Sequence, residues 1–275
     1  MLKEKVNQAL HTLLKELGDV PMASTINETF SISETIEMFK EPSTVFGQAL
    51  EGASGELSIP SIRDKIGALR RTLKDQPPAK KPKKIGLITP DYEQATHIIR
   101  QWALPIRESI LARKMELIWL DKELATRANF EAMAPTVDTV LHFGHGNWVS
   151  IAGHDNEIIL DLKNVKVLNK KSMVSLSCMS SRILGMKCAL AGAKYYYGYK
   201  RMFIFMTPPY DRYFKEAATI PFHWLLDGHR VETTYIRQKL EFNEQILRSL
   251  ASPIGIISSI FLLWDEAGLE PRNPF

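Results

Sequence analysis

The chain has 275 residues, of which 45% are hydrophobic and 24% charged, an ordinary balance for a globular protein with a sizeable buried core. Its formal net charge is only +4, and no basic stripe interleaved with aromatic residues runs along it, so we expect no nucleic acid as a partner. Two cysteines, Cys178 and Cys188, are too few for a disulfide framework and favour a reducing compartment.

The N-terminal part of the chain predicts helices. Apolar residues at helical spacing predict a first helix over 1–17. Ser31 or Ser33 is expected to cap a second helix, and Ser61 a third. We interpret residues 1–75 as a helical region that lies outside any catalytic core.

The nine residues 76–84, QPPAKKPKK, contain three prolines and four lysines. This composition favours an extended, solvated linker. We interpret the segment as the boundary between the helical region and a second domain over 85–275. A basic docking site and a protease-sensitive activation linker are two other interpretations of the same residues.

Beyond the linker, short apolar runs alternate with segments at helical spacing. The runs predicted as strands are 84–90, 115–121, 136–144, 172–177 and 194–199. The helices predicted between them cover 91–114, 122–134 and 180–191. This alternation is typical of βαβ units, so the sequence predicts an α/β fold with a mostly parallel central sheet flanked by helices.

The last part of the chain is less regular. An apolar run at 202–206 can extend the fifth strand, and helices are predicted over 208–230 and 233–250. The run at 254–264 fits either a buried helix or a strand, because its periodicity favours neither. It is shorter than the roughly 20 residues of a membrane-spanning helix. The charged N-terminus has no apolar signal core, and we therefore expect a cytoplasmic protein without a membrane partner.

Reactive side chains follow two neighbouring strands of the predicted sheet. His145 and Gly146 come after the third predicted strand, and Ser177 and Cys178 after the fourth. Since the carboxyl ends of parallel strands meet at one edge of a sheet, a base and a thiol are expected together there. This is the arrangement that a thiol nucleophile requires.

Local context gives each of these residues a chemical role. The helix predicted after Cys178 would lower the pKa of its thiol, because the helix N-terminus favours negative charge. His145 is the candidate base, and it can later protonate a leaving amine. Gly146 would let a substrate carbonyl approach the backbone closely, and the N–H groups of Gly146 and Cys178 can together stabilise an oxyanion.

Other chemistries are less well supported by the spacing. Residues of metal-ligand type are present at His142, His145, His154, Cys178 and Cys188. Their spacing matches no zinc-binding pattern, so we expect no metal. The GHGN segment at 144–147 lacks the third glycine of a dinucleotide fingerprint, so we expect no cofactor. Free cysteines are commonly buried, and Cys188, in the middle of a predicted helix, is assigned to the core.

Taken together, FGHG at 143–146, SLSCMSSRILG at 175–185 and AGAKYYYGY at 191–199 resemble the caspase-like cysteine peptidases. The pattern is most similar to the gingipain, separase and CHAT-domain branches, whose members have strands ending in His-Gly and in a small residue before Cys, then an Ala-Gly-Ala-like turn. The resemblance covers roughly residues 84–215. Trp148 departs from the small residues that many members have there.

The resemblance implies a three-layer caspase-like fold, to which the N-terminal region adds a helical arm. It also implies a His145–Cys178 dyad, an oxyanion hole from the backbone of Gly146 and Cys178, and endopeptidase activity selective for one substrate side chain. Asp155 and Glu157 can bind a basic substrate side chain. They can equally be solvated loop charges.

The sequence thus predicts a cytoplasmic cysteine endopeptidase that cleaves proteins or peptides through a covalent acyl-enzyme. Activation by processing, or by a protein partner bound to the helical region, is expected from the resemblance. One alternative is a catalytically silent relative that serves as a scaffold or interaction module. Another is an acyltransferase or esterase that uses the same dyad.

Overall fold

The computed structural model describes residues 1–25, 28–73 and 80–273. It contains two compact units that are interleaved along the chain. The first unit comprises Met1–Lys74, Ile204–Ala218 and Ile236–Ala267. The second unit comprises Asp75–Phe203, Thr219–Tyr235 and Gly268–Phe275. The sequence instead predicts contiguous regions over 1–75 and 85–275, and residues 76–79 of the linker predicted between them lie outside the described residues.

Strands and α-helices of the described residues are numbered in chain order. The strands are β1 (Pro21–Thr25), β2 (Glu28–Ser31), β3 (Lys84–Thr89), β4 (Glu116–Asp121), β5 (Thr139–Phe143), β6 (Ser150–Ala152), β7 (Ile158–Asp161), β8 (Ser172–Leu176), β9 (Tyr195–Tyr199), β10 (Ile204–Met206) and β11 (Leu269–Arg272). The helices are α1 (Leu2–Leu17), α2 (Ile32–Lys40), α3 (Val45–Ala53), α4 (Ile59–Thr72), α5 (Gln94–Ala112), α6 (Arg127–Met133), α7 (Met186–Leu190), α8 (Arg212–Leu226), α9 (Val231–Ser249) and α10 (Pro253–Gly268).

The second unit is built on a six-stranded sheet with the order β11-β9-β8-β5-β3-β4. Its strands pair in parallel except for β11, which runs antiparallel to β9 at one edge. All five strands predicted after the linker are in this sheet. The predicted α/β class, with a mostly parallel central sheet, is therefore confirmed.

Helices cover both faces of this sheet. Residues three apart on a strand point to opposite faces, and Val140 and Phe143 of β5 show the two sides. Val140 belongs to an apolar cluster with Phe130 of α6, whereas Phe143 stacks on Phe222 of α8 with ring centroids 4.3 Å apart. Every residue of β5 is buried, which explains why this strand is mostly apolar and does not alternate between apolar and polar residues.

In the first unit, three short strands accompany the helices. The strand order is β10-β1-β2, and both pairings are antiparallel. The predicted helix at 1–17 is confirmed as α1, but β1 and β2 are not predicted, because β1 is stabilised by pairing with a strand some 180 positions away. The run at 202–206 likewise pairs with β1 and does not extend β9.

Several local predictions are settled by the helices. The run at 254–264 forms a helix, α10, and α5 continues through Pro105. Ser31 caps α2 through a capping box with Glu34. The predicted cap at Ser61 is wrong, because the side chain of Ser58 accepts the Ser61 N–H and thus begins α4 three residues earlier. None of the described helices has the length and apolar content needed to cross a bilayer.

The cap of α4 can be tested by paired substitutions. Ser58→Ala should lower the free energy of unfolding by about 1 kcal/mol, since it leaves an N–H of the first turn without its acceptor. Ser61→Ala should change it by only a few tenths of a kcal/mol, because alanine is favoured inside helices. Denaturant unfolding measures both, and an equal loss in the two variants would contradict this assignment.

Candidate functional site

The two predicted reactive segments lie side by side at the carboxyl edge of the sheet. β5 and β8 are paired in parallel, with Phe143 opposite Leu176. His145 and Cys178 each follow two residues beyond this pair. The Gly144 N–H donates to the Leu176 carbonyl at 3.2 Å, so the pairing continues past the end of the strands.

Gly146 makes the closest approach between the two segments. A Cβ atom built on Gly146 would lie 2.9 Å from Cβ of Ser177 and 3.0 Å from the carbonyl oxygen of Cys178. These separations are shorter than any ordinary contact of a Cβ atom, so only glycine fits. The sequence predicts that Gly146 lets a substrate carbonyl approach the backbone. In the structure the group that approaches Gly146 is the Ser-Cys segment of the same chain.

The thiol of Cys178 is fully buried. Its side chain has 0% exposure, and the Phe203 N–H donates to Sγ at 3.3 Å. The backbone that follows β9 therefore covers the sulfur on one side. A reagent in solvent reaches this thiol only if the covering segment moves.

Immediately after Cys178 the chain makes a sharp turn. Met179 has a φ of +55°, in the left-handed region that residues other than glycine seldom adopt. Contacts fix it there, because its N–H donates to the Arg201 carbonyl at 2.9 Å and its sulfur accepts from Trp148 Nε1. The helix predicted from residue 180 begins as a π-helical turn over Ser181–Gly185, before α7.

His145 is held by a carboxylate that the sequence did not single out. Its Nε2 lies 2.6 Å from Oε1 of Glu93, and its side chain is only 8% exposed. A carboxylate can only accept, so the proton of the neutral ring is placed on Nε2 and the lone pair on Nδ1. Glu93 directly precedes α5, after the end of β3, which pairs with β5.

The signal for Glu93 was present in the sequence. It is an acidic residue just beyond a predicted parallel strand, at the same sheet edge as His145. An aromatic neighbour, Tyr92, has its ring centroid 5.7 Å from that of His145 and 5.5 Å from that of His154. Tyr92 also donates its hydroxyl to Asn156 at 2.7 Å, so the loop after β6 is attached to this side of the site.

A network of hydrogen bonds between buried polar side chains connects the ends of β5 and β8. His142 Nδ1 lies 2.9 Å from the Ser175 hydroxyl, which lies 2.6 Å from that of Ser177. Ser177 in turn lies 2.7 Å from the Ser180 hydroxyl. On its other side, His142 donates from Nε2 to the Ala152 carbonyl at 2.9 Å. Ser177, the residue before Cys178, is thereby fixed by hydrogen bonds that connect β5 and β8.

Burial lowers the pKa of His142 from 6.5 to about 4, despite its hydrogen bond to the Ala152 carbonyl. This imidazole is therefore neutral at physiological pH and acts as a hydrogen-bonding link between strands. Among the described residues, no group of three or more His, Cys, Asp and Glu side chains is placed to hold a metal ion. Cys188 is buried in the apolar cluster, as expected, and burial raises its pKa to about 12.

The two acidic residues predicted to bind substrate lie in the loop after β6. Glu157 accepts the Arg127 N–H at 3.0 Å, at the first residue of α6. Asp155 is 79% exposed and lies 3.5 Å from Nε2 of His154. Glu157 thus has a local role at a helix N-terminus, while Asp155 is a largely solvated charge.

No protein-family model matches the chain, and no curated protein shows a significant match to it. The resemblance to caspase-like cysteine peptidases stays a prediction based on the residues quoted above.

The tight approach at Gly146 leads to a stability prediction. Gly146→Ala should destabilise the protein by about 1–3 kcal/mol, because the added methyl group meets Ser177 and the backbone of Cys178. Gly52→Ala is the matched control, since nothing lies within 4 Å of a Cβ atom at that position in α3. It should stabilise the protein by about 0.5–1 kcal/mol. Equal effects in thermal unfolding would contradict the close packing of the two segments.

The lowered pKa of His142 predicts a dependence of stability on acid. An unfolded chain takes up a proton near pH 6.5, whereas the folded chain resists it down to about pH 4, so stability is lost as pH falls across this window. The loss attributable to this residue is about 3 kcal/mol when complete. His142→Gln should therefore flatten the slope of unfolding free energy between pH 6.5 and 4.

His223 also has a pKa lowered by burial, but it is present in both proteins and cancels in the comparison. Parallel pH profiles for wild type and His142→Gln would contradict the prediction.

Proposed function

We propose that the protein is a cysteine endopeptidase in which Cys178 is the nucleophile and His145 the base. The observation that carries this proposal is the backbone contact of Gly146 with Ser177 and Cys178, which joins the two reactive segments at one sheet edge. A thiol beside an imidazole that is oriented by a third group is the general arrangement of activated nucleophiles. The adjacent strand ends, and the Glu93 carboxylate next to His145, support such an arrangement here.

The proposed reaction begins with transfer of the Cys178 proton to His145. The thiolate attacks the carbonyl carbon of a peptide bond, and backbone N–H groups of Gly146 and Cys178 stabilise the oxyanion. His145 returns the proton to the leaving amine, which leaves an acyl-enzyme on sulfur. Water, deprotonated by His145, then hydrolyses the thioester and restores the thiol.

Glu93 is assigned as the positioning residue for His145. Its carboxylate, 2.6 Å from Nε2, selects the tautomer with a basic Nδ1 and stabilises the imidazolium that forms during the reaction. The glutamate does not itself need to take up the proton.

Because Cys178 is buried, the proposed peptidase needs an activation step that exposes its thiol. The Phe203 N–H bond to Sγ and the 0% exposure of the thiol describe a form in which substrate does not reach the nucleophile. Processing, or binding of a protein partner, would have to displace the backbone after β9. We propose the cytoplasm as the compartment, since neither Cys178 nor Cys188 forms a disulfide within the described residues.

The same burial favours a second candidate, a catalytically silent relative that serves as a scaffold. In this alternative the Phe203 bond to Cys178 is a permanent part of the core, and the thiol is structural. Free cysteine is among the most buried residue types, so the alternative has a physical basis.

Cleavage of a peptide library separates the two functions. The peptidase should cleave a defined set of peptides, and Cys178→Ala should abolish cleavage. Cys188→Ala should leave it intact, because that thiol lies in the core away from the two segments. Glu93→Gln should reduce kcat by less than the roughly 10²- to 10⁴-fold that a general base contributes, and should shift the pH profile of kcat/KM.

The outcomes are distinguishable. Cleavage retained by Cys178→Ala would exclude the proposed mechanism. If the wild type cleaves nothing, and an iodoacetamide probe fails to label Cys178 both before and after limited proteolysis, the silent scaffold is favoured.

A further inference from the structure

A cleft lies in the second unit, at the edge of the central sheet opposite to the candidate site. It is a cleft of about 580 Å³ lined in part by Thr139, Ser172 and Tyr195, the first residues of β5, β8 and β9. The candidate catalytic residues follow the other ends of β5 and β8. With five residues per strand, the two edges are roughly 17 Å apart. The cleft is thus separate from the site described above.

Positive charge dominates the lining. Five cations face the cleft, namely Lys80, Lys81, Lys83, Lys194 and Arg230. None of them forms an ion pair with a carboxylate of the described residues. Like charges gathered around one concave space raise its potential and attract anions.

The two carboxylates in the lining have other partners. Asp138 accepts the backbone N–H groups of Lys83 and Lys84, at 2.8 and 3.1 Å. Glu232 accepts from the side-chain amide of Asn273 at 2.7 Å. Asp138 therefore fixes the lysine-bearing backbone at the rim of the cleft. The backbone hydrogen bond from Lys83, with a smaller attraction from Lys194, lowers the pKa of Asp138, so this carboxylate balances only part of the positive charge.

A helix begins at the same place. The first hydrogen bond of α9 runs from the Thr234 N–H to the Arg230 carbonyl at 2.9 Å, so the N-terminus of α9 is at the cleft. A helix N-terminus favours negative charge, which adds to the effect of the five side chains. Thr139 and Ser172 belong to the same lining and are neutral polar residues.

We propose that this cleft binds a small molecule carrying two or more phosphate groups. Five cations against two engaged carboxylates match a multiply charged anion better than a single carboxylate. The volume is that of small-molecule pockets, about 300–1,000 Å³. A nucleic acid is less well matched, because its binding requires a basic groove that follows the strand, whereas these five cations line a single cleft. The proposal goes beyond the peptidase function and does not depend on it.

Calorimetric titration with inorganic tripolyphosphate, at fixed ionic strength, tests the proposal on the full chain. The wild type should bind one equivalent, with an affinity that falls as sodium chloride is raised. Lys194→Gln combined with Arg230→Gln should weaken binding at least tenfold. Lys163→Gln combined with Lys166→Gln removes the same charge from exposed positions outside the cleft and should leave the affinity unchanged.

Three results would overturn the proposal. These are no saturable binding by the wild type, equal weakening in both double variants, and tighter binding of a single-stranded oligonucleotide than of tripolyphosphate. Thermal unfolding of each variant shows whether it is folded. Cys178→Ala should bind tripolyphosphate like the wild type, so failure of the peptidase proposal leaves this test intact.

Discussion

The parallel pairing of β5 with β8 is the constraint on which the candidate site depends. It sets Phe143 opposite Leu176, and the register then brings the next residues of both strands to one edge. Because glycine has no side chain, the backbone of Gly146 lies close to Ser177 and Cys178 after the strands have ended. A shift of one residue in this register would turn each buried side chain to the other face and separate the two segments.

Buried hydrogen bonds reinforce that pairing in a way that apolar packing alone does not. The path from the Ala152 carbonyl through His142 and Ser175 to Ser177 crosses from the β6 loop to the residue before Cys178. In a medium of low polarity each of these groups is costly to leave unpaired, so the whole set forms or breaks together. These hydrogen bonds hold the edge of the sheet together, whereas the backbone at Phe203 covers the thiol of Cys178.

The sheet of the second unit could be predicted because its central strands, β5 and β8, are fully buried and helices separate most of its parallel strands along the chain. The residues of β5 and β8 are mostly apolar or small, with His142 the exception, and such runs identify buried parallel strands without knowledge of their partners. β1 could not be predicted in this way, because it is stabilised by pairing with β10, far away in the sequence.

The candidate site was predicted only in part, for a similar reason. His145, Gly146 and Cys178 are next to strand ends and can be recognised from local sequence. Glu93 becomes significant only once the pairing of β3 with β5 is known. The burial of Cys178 depends on Phe203, 25 positions later, and no pattern around the cysteine reveals it.

The interleaving of the two units restricts how the chain can be divided. A fragment that begins at residue 85 would retain β10 but lack β1, its antiparallel partner. The exposed edge of β10 would then carry unpaired N–H and C=O groups, which promote pairing with other chains and aggregation. Cutting the chain at its proline- and lysine-rich segment therefore does not separate the two units, and loss of the N-terminal residues would remove part of a sheet that later residues complete.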